Sequence, residues 1–84
     1  MIKNYKLFFT PACPHCHELK QFMITVTLNG DFVDATTIDG EELVKRYNII
    51  SVPTIVFLNE KNEEISRVST IEEVNRIIKN KTLF

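Results

Sequence analysis

Both cysteines of this 84-residue chain lie in one short motif, Cys13-Pro14-His15-Cys16, where an apolar run ends and a helix is predicted to begin. The run Tyr5–Phe9 predicts a buried strand, and Thr10-Pro11 ends it. The first N–H groups of a helix have no partner within the helix and favour an anion, so a thiolate at Cys13 is stabilised there. Because the thiolate is the attacking form in thiol–disulfide exchange, the motif predicts a redox-active dithiol.

The predicted helix gives the two cysteines different environments. Apolar residues recur at spacings of three and four in this helix, at Cys16, Leu19, Phe22, Met23 and Val26. Cys16 is therefore expected on the buried face and Cys13 at the exposed tip, as a resolving and an attacking thiol. Lys20 could add positive potential near Cys16, although a solvated side chain is the simpler interpretation. Asn29-Gly30 is the predicted end of the helix.

Two metal-based alternatives fit the same stretch. Cys13 to His17 also satisfies Cys-x-x-Cys-His, the attachment motif of a c-type haem, but no signal peptide for export is visible. A zinc site could use both cysteines with His15 or His17, although structural zinc normally takes four ligands from two separate pairs. The dithiol interpretation remains the leading one, and no metal is expected.

Length and charge exclude several classes of protein. The chain is short enough for one domain, predicted to span residues 1–84. Its formal net charge of −1 gives no basic surface for nucleic acid or an acidic membrane. No apolar segment is long enough to cross a bilayer. A cytoplasmic protein, where Cys-x-x-Cys is more often catalytic than structural, is the simplest expectation, and a monomer is expected.

Three further segments have the pattern of strands. They span residues 31–38, 54–58 and 64–68. In the last of them, Ile65 and Val68 are expected to face inward.

Two further helices are predicted from capping boxes, Asp39 with Glu42 and Thr70 with Glu73. Their inward-facing residues are expected to be Leu43, Val44 and Tyr47 in the first helix, and Ile71, Val74, Ile77 and Ile78 in the second. The predicted order of elements is β-α-β-α-β-β-α, which is an α/β fold.

The chain resembles the thioredoxin/glutaredoxin superfamily, and most closely its small glutaredoxin-like thioredoxins. Two segments carry the resemblance, Phe8-Phe9-Thr10-Pro11-Ala12-Cys13-Pro14-His15-Cys16 and Tyr47-Asn48-Ile49-Ile50-Ser51-Val52-Pro53-Thr54. The element order matches over nearly the whole chain. The resemblance implies a minimal thioredoxin fold, with a four-stranded mixed sheet flanked by helices.

The resemblance also implies roles for the residues of the motif. Cys13 is the attacking and Cys16 the resolving thiol, and their disulfide serves as the redox group without a further cofactor. His15, with Pro14 before it, is expected to stabilise the Cys13 thiolate and to make the protein more oxidising than a thioredoxin with Cys-Gly-Pro-Cys.

Four residues are expected to contact the substrate, namely Pro11, Val52, Pro53 and Ser69. The proline that corresponds to Pro53 is cis in this family and lies beside the cysteines. The backbone of Val52 is then expected to pair with an extended substrate peptide.

Several positions depart from the family pattern. Ala12 replaces a tryptophan, Leu7 is the nearest match to a buried aspartate that relays protons, and Ser69 replaces a glycine. Glutaredoxins bind the glutathione carboxylate at the start of the last helix, where Glu72 and Glu73 would repel it. These acidic residues argue against tight binding of glutathione.

The implied function is a cytoplasmic dithiol–disulfide oxidoreductase that reduces disulfides of client proteins. A thioredoxin-reductase-like enzyme or glutathione would return it to the dithiol. Two alternatives remain open: a glutathione-coupled glutaredoxin, and a thioredoxin-fold module that binds a metal or a peptide without catalysis.

Overall fold

The computed structural model describes residues 2–80, and all statements on structure refer to them. Seven elements follow one another: β1 (Asn4–Phe9), α1 (Pro14–Ile24), β2 (Asn29–Asp34), α2 (Ile38–Arg46), β3 (Thr54–Leu58), β4 (Glu64–Val68) and α3 (Ile71–Asn80). The predicted order β-α-β-α-β-β-α is confirmed. The predicted single domain extends beyond both ends of the described residues and stays a prediction.

The four strands form one mixed sheet in the order β2-β1-β3-β4. β1 pairs in parallel with β2 and antiparallel with β3, and β3 pairs antiparallel with β4. All five residues of β3 are buried, as expected of a central strand covered on both faces. β1 and β3 therefore form the centre of the sheet. The loop before α1 leaves β1, and the loop before β3 leads from α2 into β3.

Each face of the sheet carries its own apolar cluster. On one face, side chains of β1, β3 and β4 pack with Leu19 and Met23 of α1 and Val74 of α3. On the other face, Phe8 and Val56 lie in a second cluster, against which residues of α2 pack. Helices thus flank the sheet on both sides, with α1 and α3 together on one of them.

The end of α1 differs from the prediction. The helix ends at Ile24, and the predicted terminator Asn29-Gly30 instead opens β2. The hydroxyl of Thr25 donates a hydrogen bond of 2.6 Å to the carbonyl of Phe22, which closes the last turn. Only glycine fits at position 30, because a Cβ there would overlap the Tyr5 ring of the neighbouring strand.

The second strand was predicted to run from residue 31 to 38, and it ends four residues earlier, at Asp34. Asp34 Oδ1 accepts hydrogen bonds from the backbone N–H of Thr36 at 2.9 Å and from its hydroxyl at 2.6 Å. This side-chain turn reverses the chain, and it explains why the β-branched residues that follow do not continue the strand.

The predicted capping box of Asp39 and Glu42 is wrong. The N-cap of α2 is Thr37, whose hydroxyl accepts a hydrogen bond of 2.9 Å from the N–H of Gly40. A threonine and an aspartate two residues apart are both good caps, and the turn at Asp34 decides between them. The inward side of α2 is as predicted, since Leu43, Val44 and Tyr47 pack on the second cluster.

β3, β4 and α3 follow the prediction. β4 contains an irregularity, because Phe57 pairs with Ser66 whereas the next residue, Leu58, pairs with Glu64. The extra residue, Ile65, is thereby brought to the same face as Val68, three positions on, and both pack in the first cluster. The predicted inward positions of β4 are confirmed, and the bulge gives their odd spacing a physical reason.

Candidate functional site

The two cysteines lie where the loop after β1 enters α1, in different environments. Cys13 is the N-cap of α1 and has an extended backbone, with Pro14 at the first helical position. Cys13 Sγ accepts a hydrogen bond of 3.1 Å from the N–H of Cys16. Cys13 is half-buried, whereas the side chain of Cys16 is 1% exposed. The helix N-terminus therefore directs a donor at the sulfur of Cys13, as an attacking thiolate requires.

Cys16 is held in its protonated form. Burial, and after it a hydrogen bond with the Cys13 side chain, raise the pKa of the thiol to about 11, although a hydrogen bond with the backbone of Thr10 acts in the opposite direction. Lys20 acts against this rise by its positive charge. At neutral pH the buried thiol of Cys16 is therefore neutral.

A groove of about 510 Å3 lies on one side of the motif. Its lining comes from α1, the loop before β3 and the start of α3, and consists of His15, Glu18, Leu19, Pro53, Ser69, Thr70, Ile71 and Glu72. The peptide bond between Val52 and Pro53 is cis. The hydroxyl of Thr54 holds this loop with a hydrogen bond of 2.7 Å to the carbonyl of Ser51. The groove has apolar residues along it and a carboxylate on each of two walls, Glu18 of α1 and Glu72 of α3.

The N-terminus of α3, at one end of this groove, is already occupied by a side chain of the same chain. Glu73 Oε1 accepts hydrogen bonds from the N–H groups of Ser69 at 2.8 Å and Thr70 at 3.1 Å. The hydroxyl of Thr70 accepts in turn from the N–H of Glu73, which completes the predicted capping box. The hydrogen bonds from Ser69 and Thr70 lower the pKa of the Glu73 carboxyl. These N–H groups are therefore not free for the carboxylate of a ligand.

A much smaller pocket, of about 40 Å3, lies on another side of the motif. Its lining consists of Phe9, Thr10, Pro11, Cys13, Cys16, His17 and Lys20. The ammonium of Lys20 lies 4.0 Å from the centroid of the Phe9 ring and 5.3 Å from that of Phe32. This pocket thus brings both thiols and a positive charge to one small cavity.

The structure distributes the predicted site residues between the two cavities. His15, Pro53 and Ser69 line the groove, and Pro11 lines the small pocket with both cysteines. Pro14 is exposed in the first turn of α1. Val52 lines neither cavity and packs instead on the cluster beneath α2.

Two residues of the groove, Glu18 and Glu72, were not among the predicted site residues, and Lys20 of the small pocket was assigned to solvent. Glu18 and Glu72 were not predicted to share a cavity, since only the tertiary structure brings α1 and α3 together. The spacing of Glu18, three residues after His15, places both on one face of α1 and was the available signal. Lys20 was expected to be solvated and is half-buried over Phe9.

Two of the positions that depart from the pattern of the resembling proteins, Leu7 and Ala12, can be located in the structure. Leu7, at the position nearest to the family's buried aspartate, is fully buried in the cluster with Leu19 and Met23. Ala12, at the position of the family's tryptophan, is exposed. Neither position supplies a polar group to the cysteines.

Within residues 2–80 no three His, Cys, Asp or Glu side chains are arranged to hold a metal ion. Over the same range no helix has the length and the apolar character needed to cross a membrane.

No protein-family model and no curated protein sequence matches the chain. Its structure is similar to those of thioredoxins. For thioredoxin 1 of Thermosipho africanus the TM-score is 0.81 at 20% identity, covering 94% of this chain and 93% of the other. For thioredoxin O2 of Arabidopsis thaliana in the oxidised state the TM-score is 0.82 at 12% identity, covering 94% and 74%. For a Fasciola hepatica thioredoxin it is 0.77 at 21% identity, covering 92% and 78%.

The chain therefore has the thioredoxin fold, as the sequence motifs predicted. Its two cysteines, three residues apart at the start of α1, fit a thioredoxin-like active site.

Proposed function

We propose that this protein is a dithiol–disulfide oxidoreductase that reduces disulfide bonds of client proteins. The observation that carries the proposal is the pairing of unequal thiols at the start of α1. Cys13 Sγ accepts the N–H of Cys16 at 3.1 Å, and Cys16 itself is buried with a raised pKa. Cys13 is thus suited to attack the client first, and Cys16 stays protonated until the second step.

The proposed reaction has two steps. The Cys13 thiolate attacks one sulfur of the client disulfide, which forms a mixed disulfide and releases the other client sulfur as a thiol. Cys16 then loses its proton and attacks Cys13 Sγ, which releases the second client thiol and leaves the Cys13–Cys16 disulfide. The client gains two electrons and two protons, and the protein loses the same number.

The groove beside the motif is the proposed binding site of the client chain. It is open to an extended segment, it is lined by Leu19, Ile71 and Pro53, and it lies next to His15 of the motif. Ile50, on the loop that leads to Pro53, is 96% exposed and adds an apolar side chain to this end of the molecule. Pro11, on the other side of the motif, and the backbone of Val52 remain proposed contacts of the substrate.

The electron donor that regenerates the dithiol is proposed to be a protein of the thioredoxin-reductase type rather than glutathione. Glu18 and Glu72 line the groove. Glutathione carries carboxylates and would meet like charge there, and the N–H groups of Ser69 and Thr70 are already used by Glu73. The protein is further proposed to act in the cytoplasm as a monomer and to need no cofactor besides its two cysteines.

A trapping experiment tests the assignment of the two thiols. When the Cys16→Ser variant is mixed with a client protein that contains a disulfide, we expect a mixed-disulfide complex to accumulate. A reductant should cleave this complex. Cys13→Ser is expected to reduce the client no faster than buffer does, and Cys13→Ser with Cys16→Ser serves as the matched control. A Cys16→Ser protein that forms no mixed disulfide would contradict the proposal.

A further inference from the structure

The side chain of Lys20 is held at the active-site end of the sheet, over two aromatic rings. Its ammonium lies 4.0 Å from the centroid of Phe9, the last residue of β1, and 5.3 Å from that of Phe32 in β2. Contacts of this kind attract a cation to the ring face, more strongly where water is partly excluded. Within residues 2–80 no carboxylate forms an ion pair with Lys20. Its charge is therefore fixed in place and not neutralised by a salt bridge.

The same lysine lines the small pocket that both cysteines line. Lys20 is four residues after Cys16, so the two lie on the same face of α1 one turn apart. The pocket measures about 40 Å3, which leaves room for very few water molecules. Because Cys16 itself is 1% exposed, a charge beside it is screened less than a charge between two solvated groups.

The second step of the proposed reaction needs a thiolate at Cys16. In the dithiol form burial is the main cause that raises the pKa of Cys16, and the same burial opposes formation of the thiolate in the mixed disulfide. No carboxylate lines the pocket, and Leu7 stands at the position nearest to the buried aspartate of related proteins. The charged or titratable groups that face Cys16 there are Cys13, His17 and Lys20, while β1 contributes uncharged residues. Asp34 of β2 is the acid whose ionisation Lys20 also favours.

We propose that Lys20 is a positioning residue for the resolving step, which stabilises negative charge on Cys16 as this sulfur loses its proton and attacks Cys13. This proposal rests on the proposed function. The bond between Cys13 and the client sulfur breaks, the bond between Cys13 and Cys16 forms, and the departing client thiolate takes up one proton. Lys20 keeps its own proton throughout and acts by its charge.

Stopped-flow mixing with dithiodipyridine separates the two steps, because each releases one equivalent of a chromophoric thione. Attack by Cys13 gives the first equivalent, and resolution by Cys16 gives the second. Lys20→Met keeps most of the side-chain volume and removes the charge. It is expected to slow the second phase by about 3-fold at neutral pH, because the loss of thiolate is partly offset by a higher nucleophilicity, and to move the pH dependence of that phase toward higher pH.

Three further variants make the result specific to the charge. Lys20→Arg is expected to restore most of the rate, since it returns a cation over the same rings. His17→Gln is expected to leave the pH dependence of the second phase near that of the unsubstituted protein. Lys61→Met, in the turn between β3 and β4 at the opposite end of the sheet, is the matched control with an unchanged second phase.

The outcomes separate this proposal from the one on which it rests. Equal second-phase rates and pH profiles in Lys20→Met and in the unsubstituted protein would overturn the role of Lys20. A slow second phase in Lys20→Arg as well would also overturn it, because the effect would then follow shape and not charge. If the unsubstituted protein itself shows only a first phase, as Cys16→Ser should, the proposed function and this inference both fail.

Discussion

The two cavities beside the Cys-x-x-Cys motif differ in size and in charge. The groove between α1 and α3 measures about 510 Å3 and carries the carboxylates of Glu18 and Glu72 on facing walls. The pocket between α1 and β1 measures about 40 Å3 and carries the ammonium of Lys20. The motif stands between an acidic surface and a basic one.

This difference separates recognition from chemistry. A client segment fits only into the groove, where the carboxylates are near solvent and act weakly. The pocket is lined by the buried Cys16, so that a charge there is screened less than one in the groove. Substitutions in the groove should therefore change which clients react, whereas substitutions in the pocket should change how fast the thiols exchange.

The largest expected effect concerns the buried thiol on the pocket side. The folded-state pKa of Cys16, about 11, lies above the usual value of a thiol, so folding favours the neutral form. The stability that this provides is fully present below pH of about 8.5 and is lost as pH rises through about 11. Over this range the reduced protein should lose on the order of 3 kcal/mol of unfolding free energy. Denaturant titrations at several pH values measure the loss.

The control for this prediction is reduced Cys16→Ala, which keeps Cys13 and the other groups that titrate at high pH. Tyr5 is one of these, since burial raises its pKa as well. The difference between the two proteins isolates Cys16. Parallel curves across the alkaline range would show that the Cys16 thiol is not held neutral by the fold.

A smaller effect is expected on the groove side, at the cap of α3. Glu73→Ala removes the acceptor for the N–H groups of Ser69 and Thr70 and should cost about 1 kcal/mol near neutral pH. Glu73→Gln keeps a cap and should cost less. Because the pKa of Glu73 is lowered in the fold, its ionic contribution is present above pH of about 4.3 and is lost as pH falls through the lower, folded value.

Thermal unfolding of the three proteins at neutral and acid pH checks this cap. The gap between the unsubstituted protein and Glu73→Gln should close on acidification. A gap that is independent of pH would mean that the negative charge of Glu73 contributes nothing to the cap.

The smallest effect is expected from the groove charges. Exchange of Glu18 and Glu72 for lysine should shift the relative rates on two matched peptide disulfides, one with flanking lysines and one with flanking glutamates, by about 3-fold toward the acidic peptide. The shift should shrink at high salt. A neutral peptide disulfide, which should be reduced at an unchanged rate, is the internal control. If the substitutions change the rates on the lysine and the glutamate peptide by the same factor, the groove charges do not take part in recognition.

The sequence predicted those parts of the fold whose signals are local. β3 is a continuous apolar run, and α3 has a capping box followed by an apolar stripe, and both elements occur as predicted. The region between residues 24 and 40 was predicted poorly, because its boundaries depend on tertiary contacts. Asn29-Gly30 has the composition of a turn, but it pairs with β1 as a strand, where Gly30 lies against Tyr5.

The candidate site shows the same division. The cysteine pair and its position at a helix start could be predicted from four residues, because spacing and cap are local. The groove could not, since Glu18 and Glu72 lie on helices that are remote in sequence. Lys20 on the helix and Phe9 on the strand likewise meet only in the folded chain. The periodic pattern of the helix predicted that this lysine is solvated, whereas its side chain is half-buried because it packs on the Phe9 ring.

The most direct measurement is the equilibrium of the Cys13/Cys16 pair in graded glutathione redox buffers, read by thiol alkylation and mass spectrometry. A single two-electron transition is expected between the free dithiol and an intramolecular disulfide. Its midpoint should lie near the value of about −270 mV of thioredoxin and somewhat above it, because His15 is expected to stabilise the thiolate. A midpoint near the value of about −120 mV of a disulfide oxidase would contradict the proposed role as a reductant. If both cysteines can be alkylated across the whole range of buffers, the pair does not cycle and the proposed function is wrong.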